Sequence, residues 1–245
     1  MLYYAAMNKE IAKEIPHDLK FYTPREAMWL KFEAHETPAT LRLADNYLNL
    51  LRPNDKVLDV GCAFGRVANF LAREKNVEVV GVDINRTEIR HAEKIKTSEK
   101  VKFKVMDGTQ LECSENSFDA VVMAGVIGGV EVGVRKDLLK EAFRVLKSGG
   151  TVAVAEYGIN LNDSERREKY KADFEKTGEW GSKIILVGKK KLLIVKHFAG
   201  KELRNLLSGA GFISIAIRKH STESAGIGDG KVEKRPQYTV WGVKP

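Results

Sequence analysis

The chain has 245 residues, 43% of them hydrophobic and 30% charged, the balance of a folded protein large enough to bury a core as one domain. No apolar run approaches the roughly 18 residues of a membrane helix, the N-terminus "MLYYAAMNKEIAKEIP" lacks the basic-then-apolar pattern of a secretion signal, and two cysteines, Cys62 and Cys113, make neither a disulfide framework nor a metal cluster. A cytoplasmic protein without membrane or metal is expected, and its formal charge of +8 leaves nucleic acid open as a partner beside scattered surface lysine.

Thr23-Pro24-Arg25-Glu26 forms a capping box with proline at the first helical position, predicting a helix to about His35. Thr37-Pro38 starts a second helix, in which Leu41, Ala44, Leu48 and Leu51 recur at helical spacing until "RPND" stops it. From residue 56 short apolar runs alternate with amphipathic stretches. "KVLDVG", "VEVVGVDI", "VKFKVMDG", "FDAVVMAGV" and "GGTVAVAEYG" read as strands, and "RVANFLAREK", "RTEIRHAEKIK" and "RKDLLKEAFRVL" as helices. Continuous apolar strands separated by helices predict a parallel sheet covered on both faces.

Residues 158–199 are too long for a plain connection and contain "KIILVGKKKLLIVKHF", a hairpin turning at Gly188-Lys189. They read as an insertion capping the mouth of the site. "GKELRNLLSGAGF" is then a helix closed by glycine, and "ISIAIRK" and "QYTVWGVK" are two strands that should pair antiparallel. The polar stretch "HSTESAGIGDGKVEKRP" between them reads as a long linker.

The loop after the first strand, "VLDVGCAFGRVANFL", is where an open parallel sheet holds its ligand. A dinucleotide fingerprint fails there, because counting from Gly61 puts Ala63 and Arg66 at two of its three glycine positions, which argues against a nicotinamide oxidoreductase. With an acid at Asp59 and then Gly61, Ala63 and Gly65, the chain instead resembles the class I S-adenosylmethionine-dependent methyltransferases. Asp83 ends the second strand and Asp107-Gly108 the third, as in that family, and the resemblance runs in order over residues 38–244.

The resemblance implies an α/β doubly wound, seven-stranded mixed sheet, helices on both faces, last strand antiparallel, in a single domain over 1–245. Residues 1–51 would form an N-terminal helical segment and 158–199 a substrate cap. It also implies S-adenosyl-L-methionine as donor and S-adenosyl-L-homocysteine as product. On the matching positions, Asp83 would accept from the ribose hydroxyls, Ile84 lie on the adenine face, and Asp107 accept the adenine amino group beside Gly108. Gly61, Cys62, Ala63 and Gly65 would pass beneath the methionine, Asp59 favour its ammonium, and Ala124 and Gly125 complete that pocket. Cys62 is read as packing rather than as a nucleophile, and Ala63 as harmless where no positive φ is needed.

Such a transfer needs alignment more than a base, and no catalytic residue announces itself: "MAGVIGGVEVG" after the fourth strand carries neither an Asn/Asp-Pro-Pro-aromatic motif nor a histidine. Acceptor-pocket candidates come from position: Tyr22, Trp29, Tyr157, Trp180 and His197. His91 reads as a solvated helix residue. The expected acceptor is a small molecule in a metal-free reaction. An RNA acceptor is the alternative, through Lys189, Lys190 and Lys191 with Lys183 and Lys196.

Overall fold

The computed structural model describes residues 42–162, 164–187, 190–225 and 232–245. The helix expected at 23–35, Tyr22, Trp29 and the Gly188-Lys189 turn lie outside them. The apolar runs form β1 (Lys56–Val60), β2 (Glu78–Asp83), β3 (Val101–Val105), β4 (Phe118–Ala124) and β5 (Leu146–Tyr157), paired in parallel. β8 (Ile213–Ala225) and β9 (Val232–Val243) complete a seven-stranded sheet in the order β3-β2-β1-β4-β5-β9-β8, and β9 is antiparallel to both neighbours. β1 shows why the run reads without alternation: its last four residues are buried, because both faces of the sheet are covered.

Two cores follow from that coverage. On one face Leu58, Val60, Val121, Met123, Val152 and Val154 pack with Leu138 and Leu139 of α4 (Val132–Val145) and Leu203 and Leu207 of α6 (Gly200–Gly209). On the other, Val57, Val79, Val122 and Ala155 pack with Leu71 of α2 (Arg66–Lys75) and Ile89 of α3 (Arg86–Ile95). Gly65 caps α2 in the left-handed region, and the Asn85 side chain caps α3 by accepting from the amides of Thr87 and Glu88 at 2.9 and 3.3 Å.

Two expectations are corrected. The helix read from Thr37 is one turn among the described residues, α1 (Asp45–Leu48), with Ala44 extended before it. Tertiary bonds win over helical periodicity here: Ala44 N–H donates to Thr239 Oγ1 at 3.1 Å, and the Arg42 carbonyl accepts from Thr239 Oγ1 and from the buried Gln237 amide. The polar linker after residue 219 is mostly strand, since pairing continues from His220↔Gln237 to Ala225↔Val232, leaving six residues, 226–231, outside the description.

The insertion holds a helix that periodicity did not announce, α5 (Ser164–Thr177), and the expected antiparallel hairpin of β6 (Ser182–Val187) and β7 (Lys190–Lys196). The buried Asp173 of α5 accepts from Ile184 N–H at 3.1 Å, and Gly158 bridges to Phe198, tying the insertion to the end of β5.

Candidate functional site

The loop between β1 and α2 turns left-handed at three alternate residues, Gly61 (φ 69°), Ala63 (φ 48°) and Gly65 (φ 78°). Ala63 therefore does need the positive φ that sequence reasoning hoped it would avoid, at a cost of about 1–2 kcal/mol for a residue with a Cβ. Its amide donates to Asp83 Oδ2 at 3.0 Å, which holds the loop against the end of β2. The glycines have a packing reason besides any ligand. A Cβ on Gly61 would meet Val126 Cγ2 at 2.6 Å, and one on Gly65 would run into the Phe103 ring.

Three acids stand at the carboxyl ends of β1, β2 and β3. Asp59 is buried, and its Oδ2 has no hydrogen-bond partner among the described residues. Burial pushes its carboxyl up to about 7, against the pull of Arg66 and the Ala68 amide and with a small push from Asp83. Asp83 is not the helix cap, which is Asn85; it accepts from Ala63 N–H and from Asn85 N–H at 2.9 Å. Each of its oxygens keeps a lone pair for a further donor. Asp107 is exposed and accepts Thr109 N–H and Oγ1 at 2.8 and 2.7 Å, both on Oδ1. Ile84, beside Asp83, is 54% exposed. Cys62 is buried, and burial together with three nearby acids drives its thiol well up, so it is no thiolate.

Three of these features have the chemistry that such a donor would require. An unpartnered buried carboxylate oxygen suits an ammonium, spare acceptors at Asp83 suit a diol, and an exposed isoleucine suits an adenine face. Gly125 (φ 76°) turns the chain after β4, where its N–H is held by the Ala155 carbonyl at 2.9 Å.

A buried acid that sequence reasoning missed lies beside that turn. Glu156, near the end of β5, accepts Gly128 N–H at 3.1 Å under the 3-10 turn Ile127–Gly129. Burial raises its carboxyl to about 7 against the backbone bonds from that turn. Its signal was the one used for the other acids, a carboxylate at the end of an apolar strand. Arg135 of α4 donates through Nε to the Ile127 carbonyl at 2.8 Å and pairs by both terminal nitrogens with Glu179 of the insertion. Phe198 lies between the Arg135 and Lys196 cations, at 5.3 and 5.2 Å from its centroid. Lys196, 2% exposed, is bound to Glu202 at 2.9 Å and so is removed from the basic surface proposed for RNA.

The structure brings together three of the five acceptor candidates. Tyr157 and His197 have ring centroids 5.7 Å apart, and His197 Nδ1 shares a 2.7 Å hydrogen bond with Tyr170 of α5, itself 6.3 Å from Trp180. Burial and surrounding cations hold the His197 imidazole well below its ordinary value, hence neutral. His91 is half-buried and packs edge-to-face on Phe64 of the loop at 5.1 Å, rather than standing in solvent. Among the described residues no His, Cys, Asp or Glu cluster has metal-ligand geometry, and no helix is long and apolar enough to cross a membrane.

The strand order, the antiparallel β9 and the acids at three successive strand ends define a class I methyltransferase fold. Comparison with known proteins agrees. Residues 57–150 match the family model described as a methyltransferase domain. A SAM-dependent methyltransferase from Methanosarcina mazei superposes with a TM-score of 0.73 at 32% identity, over 83% of this chain and 99% of that one. The chain belongs to the S-adenosylmethionine-dependent methyltransferases.

Among curated relatives, phosphoethanolamine N-methyltransferase 3 of Arabidopsis thaliana is 34% identical over 111 residues, 44% of this chain and 22% of that protein. The 27-O-demethylrifamycin SV methyltransferase of Amycolatopsis mediterranei is 28% identical over 155 residues, 61% and 55% of the two chains. The chain thus spans less than two thirds of the curated relatives it matches.

Proposed function

We propose that this protein transfers a methyl group from S-adenosylmethionine to a small-molecule acceptor. The observation that carries the reading is the joint fit of Asp59, Asp83 and Asp107 around the left-handed Gly61–Gly65 loop, in a chain 32% identical to a SAM-dependent methyltransferase over nearly all of that protein. Bound donor supplies a methyl already activated on a sulfonium, so the chain's task is alignment and exclusion of water. Asp59 holds the ammonium, and the Gly61–Gly65 backbone with Cys62, Ala63, Ala124 and Gly125 encloses the methionine. Asp83 accepts the ribose hydroxyls, Ile84 covers the adenine, and Asp107 with Gly108 reads its amino edge.

The acceptor enters from the insertion side, residues 158–199 serving as its cap. Tyr157, at the end of β5 with the His197 ring at 5.7 Å and the Arg235 guanidinium at 6.0 Å, is the aromatic group proposed to meet the acceptor, and its electrostatic interaction with Arg66, which also acts on Asp59, supports that part. His197, buried and held neutral, shares its Nδ1 with the Tyr170 hydroxyl, and orientation rather than base catalysis is its proposed part. The relatives' names support a small acceptor, since they act on phosphoethanolamine and on a rifamycin.

The test is transfer of labelled methyl from S-adenosylmethionine into a fractionated cell extract, half of it treated with ribonuclease. Nuclease-indifferent label in the small-molecule fraction is the expected result. Label lost on nuclease treatment would move the acceptor to RNA.

A further inference from the structure

The turn that follows β4, residues 125–129, packs against both the donor loop and the insertion. Toward the donor loop it presents Val126: a Cβ on Gly61 would meet Val126 Cγ2 at 2.6 Å and Cγ1 at 3.3 Å, so Gly61 lies directly against that side chain. Toward the insertion it presents Gly128, where a Cβ would meet the Lys196 carbonyl of β7 at 2.7 Å. Arg135 holds the middle of the turn. Its Nε donates to the Ile127 carbonyl at 2.8 Å, and the same guanidinium pairs with Glu179. The first residue of the turn, Gly125, is left-handed and donates its N–H to the Ala155 carbonyl at 2.9 Å.

Glu156 is the buried acid that the methyl transfer described above does not use. Its Oε1 accepts Gly128 N–H at 3.1 Å, and its Oε2 would stand 2.8 Å from a Gly128 Cβ, so the carboxylate is seated against the turn. Burial opposes its charge, while the Gly128 and Ile127 amides, the Arg135 guanidinium and the Val126 amide favour it. A glutamine of the same shape could accept the 3.1 Å bond without the cost of a buried charge. It would, however, turn an NH2 donor toward amides that are themselves donors, where the carboxylate offers a second acceptor oxygen. The carboxylate therefore gathers the amides of 126–128 together, and a carboxamide would not. Because Val126 lies on Gly61, where those amides sit decides where the first left-handed residue of the donor loop sits.

We infer that Glu156 is a positioning residue for the donor: by gathering the amides of 126–128 it holds Val126 against Gly61 and so fixes the methionine side of the pocket. The inference rests on the donor site proposed above. Its test titrates S-adenosylhomocysteine calorimetrically into the full chain at pH 8, where a carboxyl raised to about 7 is charged, for wild type, Glu156→Gln and Gly128→Ala. Amide hydrogen exchange of each ligand-free protein is followed alongside by NMR. Glu156→Gln should bind about tenfold or more weakly. Its amides at 126–128 should exchange about tenfold faster, while those of β1 and β4 keep their wild-type rates. Its urea midpoint should not fall, because a neutral isostere replaces a buried charge; a purely structural role would leave the affinity of so stable a variant untouched. Gly128→Ala pushes the turn off the carboxylate from the other side and should weaken binding as well, and it decides the matter if Glu156→Gln does not fold. Wild-type affinity in a folded Glu156→Gln, or unchanged exchange at 126–128, overturns the positioning role alone. A wild-type chain that binds no S-adenosylhomocysteine overturns the proposed function and this inference with it.

Discussion

Replacing Asp59 with asparagine should separate stability from donor binding. The native carboxyl is raised from 3.8 to about 7 by burial. The folded protein therefore holds this proton more tightly than the unfolded chain does. Below about pH 4 the group costs nothing, the cost grows as pH rises, and it is complete above about pH 7. At about 1.4 kcal/mol per unit the cost at pH 8 has an upper limit of about 4 kcal/mol. Asp59→Asn removes it at the price of one unsatisfied amide, so the variant should be more stable than wild type by about 1–3 kcal/mol at pH 8, with the gain falling by roughly half toward pH 5. Binding should run the other way. An ammonium is held by the ionised carboxylate, so the affinity of wild type for S-adenosylhomocysteine should improve about tenfold between pH 6 and pH 8. In the variant it should be weaker and nearly flat with pH. Urea unfolding and calorimetric titration at several pH values read both effects. A variant destabilised at every pH, with the pH dependence of binding intact, would refute the reasoning.

Other outcomes follow from the same geometry. Ala63→Gly relieves a left-handed alanine and should raise stability by about 0.5–1 kcal/mol after the entropy of the unfolded glycine is counted, measured by urea midpoint. Gly65→Ala forces a methyl into the Phe103 ring at φ 78° and should cost about 2–4 kcal/mol in the same assay. Glu179→Ala leaves the buried Arg135 cation unpaired; because Glu179 is itself 29% exposed, the expected loss is about 2 kcal/mol, with faster proteolysis within 158–199. Asp83→Ala should weaken S-adenosylhomocysteine binding about 100-fold, since two charge-assisted bonds go, while circular dichroism stays native.

The sheet was legible because its strands are buried on both faces and its helices are not: "VLDV" and "VVMA" have no polar alternation, whereas "RVANFLAREK" buries Ala68, Leu71 and Ala72 and exposes Arg73 and Glu74. Strand-end acids were legible for the same reason, an ionisable group being conspicuous after an apolar run. What failed was whatever depends on a distant partner. The short α1 yields to Thr239 and Gln237, nearly two hundred residues away. The His220–Ala225 strand is polar because it extends past the edge of the sheet core, so no apolar period marks it. Helix α5 carries few apolar residues and buries Tyr170 and Asp173, a pattern that periodicity passes over. Nor could spacing reveal that Ala63 is left-handed or that Lys196 is buried; both follow from contacts with Asp83 and Glu202.

The proposed donor site is built on Asp59, the Gly61–Gly65 loop and Asp83. Its most direct test is calorimetric titration of the wild-type chain with S-adenosylhomocysteine at pH 8. Saturable binding with one molecule per chain is the expected result. A flat titration from a folded sample would contradict it.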